Sequence, residues 1–154
     1  MDALITAESP LGADLALLMQ RHTADMHAQT PPESIHMMDA GQLAVPEVAF
    51  FVLREMGQPI AMGAFKRIAD GHGEIKSMHV LAEHRGRGHS RGMLVHLMEA
   101  AMAAGLHRLS LETGAEPIFA AARGLYERAG FTYCDPFEGY TLDPNSVFMT
   151  KVLA

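Results

Sequence analysis

The chain of 154 residues has no tryptophan and one cysteine, Cys134. A lone cysteine excludes an intramolecular disulfide framework and a thiolate zinc cluster, and it fits a reducing compartment. The opening MDALITAESP lacks the basic-then-apolar order of a secretory signal, which points to a cytoplasmic protein. No run of ~18 apolar residues occurs, so no transmembrane helix and no membrane partner are expected. Basic charge is also scarce: 12 Lys and Arg stand against 18 Asp and Glu, a net charge of -6. That balance excludes a general nucleic-acid binder, which needs excess cation to meet phosphate. Repeats, low-complexity tracts and sharp composition breaks are missing, so residues 1–154 read as a single domain. The hydrophobic fraction of 49% is enough for a packed core.

What is present has a clear order. Residues 2–7 read as a strand and 11–29 as a helix, followed by a Pro- and Gly-broken stretch with one helical turn around 33–39. Residues 48–55, 60–67 and 74–80 are rich in β-branched and aromatic side chains separated by Gly turns, and form an antiparallel meander. Residues 90–104 form the clearest helix, with Met93, Leu94, Leu97, Met98, Ala101 and Met102 on one stripe. A strand at 108–112, a helix at 117–129 and strands at 131–134 and 146–152 complete the chain. The predicted class is α/β with mixed α+β character: a central mixed, mostly antiparallel twisted sheet flanked by helices.

Charge is uneven along this order. Residues 1–60 carry a formal charge of -6, residues 61–110 carry +3, and residues 111–154 carry -3. The basic middle contains the loop His84-Arg-Gly-Arg-Gly-His-Ser-Arg-Gly92, between a strand and a helix. The first amides of a helix have no internal partners and sit at the positive end of its dipole. Gly86 and Gly88 remove side-chain bulk, and Arg85, Arg87 and Arg91 add charge. This is a pyrophosphate cradle. A P-loop would need Gly-Lys-Ser/Thr, and the chain has no Gly-Lys dipeptide. A dinucleotide fingerprint would need G-x-G-x-x-G after a first strand, whereas Gly86, Gly88 and Gly92 are spaced one residue too long. Coenzyme A fits, with its pantetheine arm pairing along a strand edge.

The segment Arg85-Gly-Arg-Gly-His-Ser90 resembles the R/Q-x-x-G-x-G/A signature of the GNAT superfamily of acetyl-CoA-dependent N-acetyltransferases. Ser90 stands where Gly or Ala is usual. The run Leu125-Tyr-Glu-Arg-Ala-Gly-Phe131 is similar to that family's LYExxGF element. The segments LETG (111–114), CDPF (134–137), GY (139–140) and DPNSVFM (143–149), with PPESIHMMD near the N-terminus, resemble an uncharacterised bacterial subgroup.

The resemblance implies direct acetyl transfer from acetyl-CoA to a primary amine in a ternary complex. It implies that Met78, His79 and Val80 bind pantetheine and the thioester carbonyl on a strand that splays from its neighbour. Arg85, Gly86, Arg87, Gly88, His89, Ser90, Arg91 and Gly92 hold the pyrophosphate, and Ala122, Leu125 and Tyr126, with Phe119 beside them, pack near the coenzyme. Tyr126 is the general acid and Glu74 the general base, with Glu112 the rival base. A core-filling tyrosine, a charged strand end and a structural carboxylate are the respective plain alternatives. The noncatalytic alternative for the whole chain is a coenzyme A- or nucleotide-binding module.

Cys134 lacks a paired His motif and is read as a packed thiol. The nine histidines show no H-E-x-x-H or H-x-H spacing, so no metal is expected. The acceptor, a small-molecule or peptide amine, is expected to contact residues 30–46 and 134–147. There Glu33, Asp39, Asp135, Glu138 and Asp143 would attract a cation. A homodimer is an assembly open to the chain, as in many relatives of the family.

Overall fold

A computed structural model describes residues 3–153. Its strands are β1 (Ala3–Ala7), β2 (Val48–Glu55), β3 (Gln58–Ala69), β4 (His72–Val80), β5 (Arg108–Gly114), β6 (Thr132–Cys134) and β7 (Ser146–Val152). Its α-helices are α1 (Ala16–Gln29), α2 (Ala40–Leu43), α3 (His89–Ala103) and α4 (Ala120–Arg128). The seven strands form one mixed sheet in the order β1-β2-β3-β4-β5-β7-β6. Only the β4–β5 pair is parallel. The expected fold class is observed.

Most boundaries match the sequence pattern, and the differences have local causes. The first strand was expected from residue 2, which lies outside the described residues. Strands β3 and β4 are longer than expected because the turns are tighter than their Gly content implies. Met56 (φ 52) and Gly57 (φ 81) alone join Glu55 to Gln58, the two-residue geometry whose twist matches flanking strands. The helix expected at 11–29 opens as a 3-10 turn at Ala13–Leu15 before α1, and that at 117–129 opens as one at Pro117–Phe119 before α4. The turn expected around 33–39 divides into a 3-10 turn at Pro32–Ser34 and the short α2. Asp39 caps α2: its Oδ1 accepts from the Gln42 amide at 2.8 Å, and Gln42 Oε1 accepts from the Asp39 amide at 2.8 Å.

Alternation along the strands builds two cores. Phe51, Leu53, Ala61 and Phe65 pack with Met93, Leu94, Leu97 and Ala101 of α3 on one face. Phe50, Val52, Met62 and Ala64 pack with Leu15, Leu18 and Leu43 on the other. On α3, Met98 is half-buried and Met102 exposed, so the apolar stripe is narrower than its sequence suggests.

Two features set up the functional site. First, β4 and β5 pair only at His72–Arg108, Gly73–Leu109 and Glu74–Ser110. Beyond Glu74 the β5-facing edge of β4 has no ladder partner among the described residues. Second, a bulge sets Ser77 and Met78 opposite Gly63 of β3, between the Ala64–Lys76 and Met62–His79 pairs. Ser77 takes φ 57 there, which bends the strand away. The packing that closes the far end of β5 is equally specific. A Cβ on Gly114 would lie 2.1 Å from the Phe119 ring. Gly114→Ala should therefore cost about 1–3 kcal/mol through overpacking. Urea denaturation checks this, and an unchanged midpoint would contradict the contact.

Candidate active site

The parting of β4 and β5 opens a cleft of about 160 Å³. His22 and Met26 of α1 reach it, as do Ala122 and Tyr126 of α4, together with Phe119. Glu74, Met78 and Glu112 lie along its strand walls. A second cavity of about 390 Å³ lies beyond, between the loop 36–38, α2, strands β3 and β4, and Glu138–Tyr140. Glu74, Lys76, Tyr140, His36 and Met37 line both spaces and form the wall between them.

That wall is a hydrogen-bonded cluster. Glu74 is 3% exposed. Tyr140 donates its hydroxyl proton to Glu74 Oε2 at 2.5 Å, and Lys76 Nζ lies 3.2 Å from the same oxygen. Lys76 also donates to the Tyr140 hydroxyl at 2.8 Å and to the His36 carbonyl at 3.1 Å. A buried carboxylate is stable only with partners of this kind. Burial, and then the charge on Glu74, push the Tyr140 phenol well above its ordinary range. Tyr140 itself is fixed by aromatic neighbours: His36, Phe137 and Phe148 have ring centroids 5.0, 5.2 and 5.4 Å away. Sequence reading missed its role, although the GY dipeptide at 139–140 was the available signal.

The two other titratable candidates lie along the cleft. Tyr126 is buried, and burial alone raises its phenol to about 12, so it stays protonated at neutral pH. Its ring packs edge-on against Phe131 at 5.7 Å. Glu112 accepts a hydrogen bond from Ser146 Oγ at 2.7 Å, and burial raises its carboxyl above the ordinary value. Cys134 is half-buried at a strand end, with its thiol pushed up by burial; a raised pKa opposes nucleophilic use.

The Gly/Arg loop runs from the end of β4 into α3. Gly86 (φ 79) and Gly88 (φ 83) both adopt left-handed backbone, which side chains disfavour. Gly88 is the N-cap and provides no side-chain acceptor. The amides of Gly86, Arg87 and Gly88 have no backbone acceptor among the described residues, and a Cβ at Gly86, Gly88 or Gly92 would meet only open space. These free, uncrowded amides at the positive end of a 15-residue helix fit a coenzyme pyrophosphate.

The arginines behave differently from one another. Arg85 donates from Nε to the Val80 carbonyl at 2.8 Å and from Nη2 to Asp25 at 3.0 Å. Arg87 forks onto Glu55 at 2.7 and 3.3 Å. Both partners come from distant sequence, so the loop is less basic than its composition. Arg91 is exposed and has no ion-pair partner among the described residues.

The remaining expected contacts are also placed. Met78 packs partly against the core, Val80 lies within it, and Ala122 and Leu125 line its margin. Ser90 is half-buried in the first turn of α3. His89 Nε2 is buried without a partner among the described residues. His79 is buried against His22, with ring centroids 5.2 Å apart and its own Nε2 unpartnered. Among the described residues no group of three or more His, Cys, Asp or Glu side chains is placed to hold a metal ion, and no helix is long and apolar enough to cross a membrane.

Residues 16–131 match the acetyltransferase (GNAT) family. The chain belongs to that family. Over 142 residues it is 44% identical to the uncharacterized N-acetyltransferase YsnE of Bacillus subtilis, covering 92% of this chain and 94% of that one. A protein of Klebsiella pneumoniae assigned as an acyl-CoA N-acyltransferase superimposes with a TM-score of 0.81 at 29% identity, over 99% of this chain and 98% of that one. Salmonella typhimurium YncA, solved with its cofactor acetyl-CoA, shares the fold with a TM-score of 0.73 at 20% identity, over 100% of this chain and 95% of that one. The chain is thus an acyltransferase of the GNAT family.

The paired histidines carry a pH consequence for the acetyltransferase. Burial, reinforced by the charges on His22 and Arg85, lowers His79 from its ordinary 6.5 to about 4; burial also lowers His22. The unfolded chain protonates His79 near pH 6.5, whereas the folded chain resists that proton until near pH 4. Stability is therefore greatest above 6.5 and falls as pH drops toward 4. For His79 the loss at pH 5 is roughly 2 kcal/mol. Melting curves from pH 7 to 5 should show a falling midpoint, with a shallower fall in His79→Phe; equal slopes would contradict this.

Proposed function

We propose that the protein transfers the acetyl group of acetyl-CoA directly to a primary amine in a ternary complex, with the whole chain acting as one domain. The observation that carries this reading is the position of Glu74. It stands where the two strands part, on the wall shared by the coenzyme cleft and the outer cavity. A base there faces both substrates.

Bound acetyl-CoA supplies the activated acyl group. The free amides from Gly86 into the first turn of α3, aided by Arg91, hold its pyrophosphate. The unpaired edge of β4 at Met78, His79 and Val80 takes the pantetheine as an added strand and donates to the thioester oxygen, where negative charge develops. Glu74, held in place by Lys76 and Tyr140, takes the proton that the amine loses as its nitrogen bonds to carbon. Tyr126, protonated at neutral pH, gives its proton to the departing sulfur. Glu112, whose raised pKa also suits a base, is the second candidate for the amine proton.

Tyr126→Phe should lower kcat roughly 10²-fold while leaving acetyl-CoA affinity within about twofold, since only proton transfer is lost; unchanged turnover removes Tyr126 from the chemistry. Glu74→Gln should abolish the low-pH limb of the rate profile, whereas a retained limb moves the base to Glu112 or to water. Thiol release with an amine panel and a thermal shift with acetyl-CoA test the reading as a whole. Coenzyme binding without thiol release for any amine would make the chain a coenzyme A-binding module.

A further inference from the structure

The outer cavity carries information about the acceptor. Its ionisable side chains are His36, Lys66, Glu74, Lys76, Glu138 and Tyr140. Glu74 and Lys76 are bound to each other and to Tyr140. Lys66 differs. It lies on β3 directly opposite Glu74 of β4, so both side chains share one face of the sheet with Cβ atoms roughly 5 Å apart. Lys66 is half-buried, lines the cavity beside Ile68, Met37 and Met38, and has no hydrogen-bond or ion-pair partner among the described residues. Arg21, Arg54, Arg85, Arg87 and Lys76 all meet carboxylates. A partly desolvated ammonium beside a closed cluster is a seat for an anion, and it disfavours a second cation.

Two of the five acids expected from the sequence to attract a cation are engaged within the protein. Asp39 caps α2, and Asp143 accepts from Ser34 Oγ at 2.6 Å and from the Asn145 amide at 2.8 Å. Of those acids only Glu138, exposed at the rim, lines the outer cavity. The pull on a purely cationic acceptor is correspondingly weak.

We propose that the acceptor is a short amine that also bears a carboxylate, of the amino-acid type, and that Lys66 holds this carboxylate while the amine faces Glu74. Lys66 and Glu74 face one cavity from paired positions, so a single small acceptor can meet both. Lys66 is thus a specificity-determining residue, and the inference rests on the N-acetyltransferase reading above.

The test compares thiol release with common α- and β-amino acids, their amides, and diamines, in the wild type and in Lys66→Met and Lys66→Arg. In the wild type, kcat/KM for the preferred acid should exceed that for its amide by roughly tenfold or more, the scale of one charged hydrogen bond. Lys66→Met should cut the acid's kcat/KM roughly 10- to 100-fold through KM, leave the amide and acetyl-CoA within about twofold, and be largely rescued by Lys66→Arg. Wild-type preference for amides or diamines overturns the proposal without need of any variant. An equal loss for acid and amide in Lys66→Met also overturns it. A screen in which no amine of any class releases thiol, although acetyl-CoA binds, overturns the N-acetyltransferase reading and this proposal with it.

Discussion

The site depends on a hydrogen-bond ladder that stops early. Strands β4 and β5 run parallel for three residue pairs and then separate. A sheet that stayed paired would satisfy its own backbone and leave nothing for a ligand, because buried amides and carbonyls must find partners somewhere. Parting the strands is tolerable only where something else can complete the ladder or where water can enter. The bulge at Ser77 forces the separation from the β3 side, and helices α1 and α4 keep the gap from collapsing by contributing side chains to its walls. Fold and binding are thus the same fact seen at two scales.

Glu74 is the last paired residue before the gap, and its burial follows from that position. A carboxylate so enclosed requires donors, and Lys76 and Tyr140 provide them from the same strand and from the loop between β6 and β7. The loop has to be held in turn, which the aromatic contacts with His36, Phe137 and Phe148 accomplish. The interior of the cleft and the shape of the outer cavity are therefore linked through one phenol.

Much of this architecture is legible in the chain. The aromatic and β-branched content of VAFFVLRE locates β2, and the segment SVFMTKV matches β7 to the residue, because such composition is a local signal. The Gly/Arg loop and the Leu125–Phe131 run point to the family for the same reason. What the sequence hides are partners brought from far away. Asp25 and Glu55 lie 60 and 32 residues from the arginines they engage, and Tyr140 lies 66 residues from Glu74. No periodicity records such pairings. Charge counted by segment therefore overstates the basicity of the loop and the acidity of the acceptor walls.

The tethered arginines bear on the entropy of coenzyme capture. Arg85 fastens the loop to α1 and to the end of β4, and Arg87 fastens it to the end of β2. As exposed ion pairs they add little to global stability. Their effect is to keep a segment containing two left-handed glycines from sampling other backbone states before the ligand arrives. Ordering a free loop at the moment of binding subtracts from affinity. Here much of that ordering is already accomplished by folding, so the loop meets its ligand preorganised.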